Sequence, residues 1–161
     1  WKLATFFVGT TNLQVQKKLK DLCQICSLNG LDLRLKENIN EKIWQKFIFL
    51  SAYSGMTTAF NKTIGQIFEN KVLKLKFITA MRETFSIAEQ KKICFGEDPI
   101  EFWLRKINSM PFEMTSSMHE DSKKNKKLEL HWLSGFVVEQ CKSLNLKYNT
   151  HQEIIRIIEK N

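Results

Sequence analysis

Two charged residues of this chain sit where an apolar helix pattern has no use for a charge. In INEKIWQKFIFLSAYSGMTTAF, residues 39–60, Ile43, Trp44, Phe47, Ile48, Phe49, Ala52, Met56 and Phe60 cover most of a helical circumference, as expected at the centre of a bundle. Lys46, Tyr53, Ser54 and Thr57 nevertheless fall within about 100° of one another, a polar stripe interrupted only by Leu50. A lysine among Trp and Phe needs a paired charge or a stem that reaches water. Further on, SSMHEDSKKNKKLELHWLSGF joins a hydroxyl pair, Ser116 and Ser117, an acid, Asp121, and a lysine run to a second apolar pattern. At 100° per residue that pattern predicts an amphipathic helix over residues 128–144, with Leu128, Leu130, Trp132, Leu133, Phe136, Val137 and Cys141 on one face and Glu129 inside that face. A carboxylate there must stay protonated, meet a cation or border a wet cleft.

Both oddities resolve together if Lys46 and Glu129 face one cleft. They then form either a structural ion pair or a catalytic pair, in which a lysine ammonium in a partly desolvated site donates a proton to a developing alkoxide. Other motifs carry less. Cys23 and Cys26 form a CxxC, but zinc needs a second pair and Cys94 and Cys141 stand alone; the two share a helix face with Leu19 and Leu22, which predicts core packing. FVGTTN links a strand to a helix start with one glycine where a dinucleotide fingerprint needs three, and reads as a plain βα turn.

The elements that must position these residues fall into two regions. Residues 3–8 read as a strand, 13–28 as a helix and 31–35 as an alternating strand: one βαβ unit, too small to bury both faces of a sheet, as if closing a larger α/β domain. From about residue 39 the chain turns helical, with candidates at 39–60, 63–70, 72–93, a helix begun by Asp98 and Pro99, 115–122, 128–144 and 150–160. The boundary is expected between Glu37 and Asn40. Only 6 Gly and 2 Pro among 161 residues argue against many short strands, and 43% hydrophobic residues with 12 Phe and 4 Trp suffice for a packed core. The net charge of +8 is spread along the chain apart from KKNKK at 123–127, so a solvated face is expected ahead of nucleic-acid binding. Every apolar run is interrupted by charge, which predicts no membrane span, and four irregularly spaced cysteines suit reduced thiols in the cytoplasm.

IWQKFIFLSAYSGMTTAF resembles the start of the helical C-terminal domain of ketopantoate reductases (2-dehydropantoate 2-reductases), where a tryptophan precedes a lysine by two residues. SSMHEDSKKNKKLELHWLSGF resembles that family's later motif of Ser-Ser-Met, Asp, Glu and then a glycine after serine or asparagine. The resemblance implies a mainly α fold, an all-helical domain like the C-terminal domain of 6-phosphogluconate dehydrogenase at residues 39–161, preceded at 1–38 by the closing βαβ of a Rossmann-type nucleotide-binding domain. It implies Lys46 as the general acid that protonates the ketone oxygen while NADPH delivers hydride, Glu129 as the glutamate that contacts substrate near this lysine, Ser117 as the hydroxyl that binds the substrate carboxylate, and Asp121 as a support for the turn. The implied partners are a 2-oxo acid, the protein's own nucleotide-binding domain and, as often in the family, a second copy. Two departures concern substrate: Leu50 and Ser54 stand where pantoate-forming relatives commonly carry asparagines, and serine can hydrogen-bond where leucine cannot. His131, Leu128 and Tyr148 also replace usual residues. With no GxGxxG in the chain, the piece alone is expected to be inactive, and the alternative reading is a basic helical binding or dimerisation module.

Overall fold

The computed structural model describes residues 5–160. Among them are two short parallel strands, eight α-helices and one 3-10 turn, the mainly α class expected from the sequence. They divide into two compact units inside one helix, between Ile43 and Trp44.

In the first unit, β1 (Phe6–Val8) pairs with β2 (Leu33–Leu35) in the register Phe6 to Leu33 and Val8 to Leu35. Helix α1 (Leu13–Leu28) connects them. It starts where Asn12 Oδ1 accepts the amides of Gln14 and Val15 at 2.9 and 3.3 Å. It stops at Gly30, whose φ of 78° lets the Gly30 and Leu31 amides reach back to the Ser27 and Cys26 carbonyls. Gly9 is confined by packing: a Cβ there would lie 2.5 Å from both Ile39 Cβ and the Lys36 carbonyl. Leu3 and Ala4, expected to begin the first strand, lie outside the described residues. The second strand starts two residues later than expected. The core expected for Cys23 and Cys26 does not form within this unit: α1 buries no residue, leaving Leu13 and Leu28 exposed and both thiols free and half-buried. Two three-residue strands offer too little apolar surface to cover a 16-residue helix.

The second unit is built on α2 (Ile39–Phe60), buried along most of its length from Gln45 to Ala59. Around it lie α3 (Ile64–Glu69), α4 (Lys71–Gln90), α5 (Pro99–Ile107), α6 (Ser117–Lys123), α7 (Ser134–Ser143) and α8 (Asn149–Ile158). Phe49 of α2 stacks between Tyr53 and Trp103, at centroid distances of 5.0 and 4.2 Å, and Trp103 Nε1 donates to the Gln45 carbonyl at 2.6 Å. Such ring pairs add roughly 1 kcal/mol each to the burial itself. Gly55 lets α7 and α8 close on α2: a Cβ there would stand 3.0 Å from Ile154 Cγ2 and 3.1 Å from Ser134 Oγ. α8 lacks a side-chain cap of its own, and Glu83 of α4 supplies one, accepting the Thr150 and His151 amides at 2.8 and 3.0 Å. A buried carboxylate at a helix N-terminus meets two of the unsatisfied donors and the positive end of the dipole.

The single helix expected over residues 128–144 is two pieces. Glu129–His131 form a 3-10 turn, and α7 begins only at Ser134, after Leu133 takes φ −101° and ψ −93°. The reason is tertiary. Leu133 and Ser134 are buried, and Ser134 Oγ reaches Nδ1 of the fully buried His151 at 3.1 Å, which a straight helix from Leu128 has no need to satisfy.

Candidate functional site

The stripe on α2 runs from solvent into the core. Lys46 is exposed, Leu50 is half-buried, Ser54 is 2% exposed and Thr57 is wholly buried. Exposure at its N-terminal end lets Lys46 remain among aromatic residues, with its stem on the helix and its ammonium in water. Of the two alternatives the helix pattern left open, a paired charge or a stem that reaches water, the exposed Lys46 fits the second.

At the buried end the stripe meets the Ser-Ser-Met segment. Thr57 Oγ1 lies 2.8 Å from Ser116 Oγ and 2.7 Å from the Tyr53 carbonyl. Ser116 is the N-cap of α6, accepting the His119 amide at 3.1 Å. Its neighbour Ser117, the first residue of α6, is exposed. The His119 ring is buried: Nδ1 bonds the Thr115 hydroxyl and Nε2 lies 2.8 Å from Asn61 Oδ1, just past the end of α2. Burial and the nearby Lys123 push the His119 pKa down, against a smaller upward pull from Glu120. At the other end of α6, the Asp121 carbonyl accepts the Lys124 and Lys126 amides, and its carboxylate lies 3.7 Å from Lys126 Nζ.

Glu129 opens the 3-10 turn and is exposed, so its expected place inside an apolar helix face is corrected together with that helix. Lys46 and Glu129 take part in none of the ion pairs among the described residues. The structural salt bridge between them is thus absent from this structure, while both side chains stand open to a ligand. Lys123 pairs with Glu120 at 3.1 Å and Lys126 with Asp121, so half of the KKNKK lysines are already matched by acids of α6. Cavities of about 310 and 460 Å³ open elsewhere, one beside Gly65 and Phe112, the other beside Glu83 and Thr150; neither is lined by Lys46, Ser54, Ser117 or Glu129. Among the described residues no group of histidine, cysteine and acidic residues could hold a metal, and no helix is long and apolar enough to cross a membrane.

The sequence pattern marked Thr57 and the serine pair but not the contact between Thr57 and Ser116. Asn61 was readable only as a helix end, and His119 only as a residue inside the serine motif. Glu83 carries the signal that singled out Lys46, a charge beside Ala80 and Ile87 on an apolar helix face, and could have been found the same way.

The family described as ketopantoate reductase PanE/ApbA C terminal matches residues 38–161. The curated proteins to which it is similar include an uncharacterized oxidoreductase, YkpB, of Bacillus subtilis, 26% identical over 141 residues covering 88% of this chain and 46% of the relative, and a 2-dehydropantoate 2-reductase of Pyrococcus abyssi, 26% identical over 132 residues covering 82% of this chain and 44% of the relative. The chain thus spans about half the length of the curated relatives it matches. In fold it is similar to D-mandelate dehydrogenase, solved with NADH and anilino(oxo)acetate, at a TM-score of 0.85 and 16% identity over 99% of this chain and 67% of that one. It is similar also to a dimeric ketopantoate reductase of Staphylococcus aureus, at 0.80 and 19% over 98% and 54%.

Proposed function

Because the chain belongs to the ketopantoate reductase PanE/ApbA C-terminal family, we propose that it is the substrate-binding part of an NADPH-dependent reductase of 2-oxo acids. The observation that carries this reading is the 2.8 Å bond between Thr57 and Ser116, which brings the serine pair onto the helix that bears Lys46 and Ser54. A 2-oxo acid has two oxygen-bearing groups to recognise, and the chain offers a different partner for each. Ser117 Oγ donates to the carboxylate. Lys46 holds an ammonium proton for the carbonyl oxygen as negative charge develops on it, and general acid help of this kind contributes about 10²- to 10⁴-fold. Glu129 accepts from a substrate hydroxyl or from Lys46, Ser54 lends a further hydroxyl, and Asp121 keeps the α6 turn in place.

The described residues do not themselves fit a dinucleotide. The one glycine of the first βα turn is used against Ile39 and the Lys36 carbonyl, leaving no glycine-rich cradle for a pyrophosphate. The reading therefore assigns NADPH to a nucleotide-binding domain of a longer protein, of which residues 1–38 form the closing βαβ segment and residues 39–161 the helical partner. Its exposed α1, with Leu13 and Leu28 uncovered, supports that assignment. A second copy of the chain is the proposed oligomeric partner, as in the dimeric S. aureus relative. The pairing of Lys123 and Lys126 with neighbouring acids favours this reading over a polyanion-binding module.

The test is NADPH consumption by the intact protein with a panel of branched and aromatic 2-oxo acids. Turnover of at least one is expected, with Lys46→Ala lowering kcat by about 10²- to 10⁴-fold at little cost to folding, since the side chain is exposed. No consumption with any member of the panel, or an unchanged rate in the variant, sinks the reading.

A further inference from the structure

A hydroxyl can recognise a carboxylate only if its height and direction are set before the substrate arrives. Ser117 is exposed, at the first position of the seven-residue helix α6, and the described contacts of that segment run through its neighbours. Proton placement along those contacts is determined. The Thr57 hydroxyl donates to the Tyr53 carbonyl at 2.7 Å, which leaves Thr57 Oγ1 to accept from the Ser116 hydroxyl at 2.8 Å; Ser116 Oγ in turn accepts the His119 amide at 3.1 Å. Four residues on, just past the end of α2, Asn61 Oδ1 accepts from His119 Nε2 at 2.8 Å, so Nδ1 is left to accept the Thr115 hydroxyl. Residues 115–119 are therefore tied to α2 at two points one helical turn apart, through Thr57, Ser116 and His119, which are 0%, 3% and 4% exposed. Buried hydrogen bonds of this kind resist competition from water and hold one geometry. Asn61 also ends α2 at φ 49°, so the residue that stops the helix is the one that holds the histidine.

We propose that Thr57, His119 and Asn61 are positioning residues that set the place of Ser117 relative to the Lys46 stripe, and so determine affinity for the anionic end of the substrate. The inference rests on the reading of Ser117 as the carboxylate partner. It adds that recognition depends on the C-terminal end of α2, reached through residues that touch no substrate.

The experiment uses the intact protein and whichever 2-oxo acid it turns over. Thr57→Val keeps the shape and removes the hydroxyl; KM for the 2-oxo acid should rise about tenfold while kcat and the KM for NADPH stay within about twofold. Thr57→Ser should restore the wild-type KM, and adding Ser117→Ala to Thr57→Val should raise KM less than the two single effects together. Asn61→Gly, which suits the positive φ but lacks the acceptor, should raise KM in the same selective way, and decides the matter should the valine variant not fold. An unchanged KM in the variants, a parallel loss of kcat and of NADPH binding, or failure of serine to rescue overturns the inference while leaving the proposed activity intact. A wild-type protein that turns over no 2-oxo acid removes the activity, and this inference with it.

Discussion

At the scale of single residues, His151 shows what complete burial does to a titratable side chain. Its Nε2 lies 3.0 Å from the Ala80 carbonyl, which can only accept, so Nε2 carries the proton and Nδ1 accepts from the Ser134 hydroxyl. Thr84 Oγ1, 3.1 Å from Nε2, continues the network to Ser51 at 2.9 Å. Burial drives the imidazole pKa down from 6.5 to about 4, with the Ala80 carbonyl pulling weakly upward. The sign of the consequence follows. Below pH 6.5 the unfolded chain takes up a proton that the folded one refuses until about pH 4, so the stability held by the neutral ring is complete above 6.5 and drains away as the pH falls through that window. The size is roughly 3 kcal/mol. Thermal unfolding should therefore lose midpoint between pH 6.5 and 4 more steeply in the wild type than in His151→Gln; parallel curves would remove this account. Cys141 illustrates the same physics with the opposite sign. Burial and the neighbouring Glu83 charge push its thiol up to about 11, leaving it neutral and inert at ordinary pH.

At the scale of elements, the helix ends follow one rule with different residues. Asn61, Lys92, Asn125 and Asn145 all take positive φ just past a helix, as Gly30 does, and at each the next amide reaches back to close the last turn. Asparagine tolerates this backbone; lysine does so at a cost, because its Cβ crowds the carbonyl. Lys92→Gly should accordingly stabilise the chain by about 0.5–1 kcal/mol, a gain of roughly 1–4 °C in Tm. An unchanged or lowered Tm by calorimetry would show that Lys92 makes a compensating contribution through its side chain. The same rule explains how a chain of 161 residues with only 6 Gly can end so many helices cleanly.

At the scale of the whole molecule, the proposed function raises the question of which acid the stripe would admit, and Leu50 is the residue that bears on it. It lies half-buried between exposed Lys46 and buried Ser54, an apolar step in a polar run. In the proposed reading it favours a 2-oxo acid with an aliphatic or aromatic tail. Leu50→Asn should shift the ratio of kcat/KM toward ketopantoate, whose hydroxyl can meet the amide, by roughly 10- to 100-fold over an unhydroxylated 2-oxo acid; a ratio that does not move takes Leu50 out of substrate contact. Helix α2 was legible to the residue, as were α1 and the Asp98 and Pro99 start of α5, because each rests on local chemistry: periodicity, a capping side chain, a stop. The break of the expected 128–144 helix was not legible. Its causes are Ser134 meeting His151, 17 residues away, and the close approach permitted by Gly55. For the candidate site the division is the same. Sequence periodicity alone singled out Lys46, Ser54 and Glu129, since a charge or hydroxyl that interrupts an apolar period is visible in one dimension, whereas Ser117 and Asp121 were singled out only by the resemblance of the serine motif. Only the tertiary structure decided that Lys46 and Glu129 stand exposed and without an ion pair, and that the serine pair hangs from α2 through Thr57 and Asn61, because burial and hydrogen bonds across 59 and 58 residues depend on how helices pack and not on what lies beside each residue in the chain.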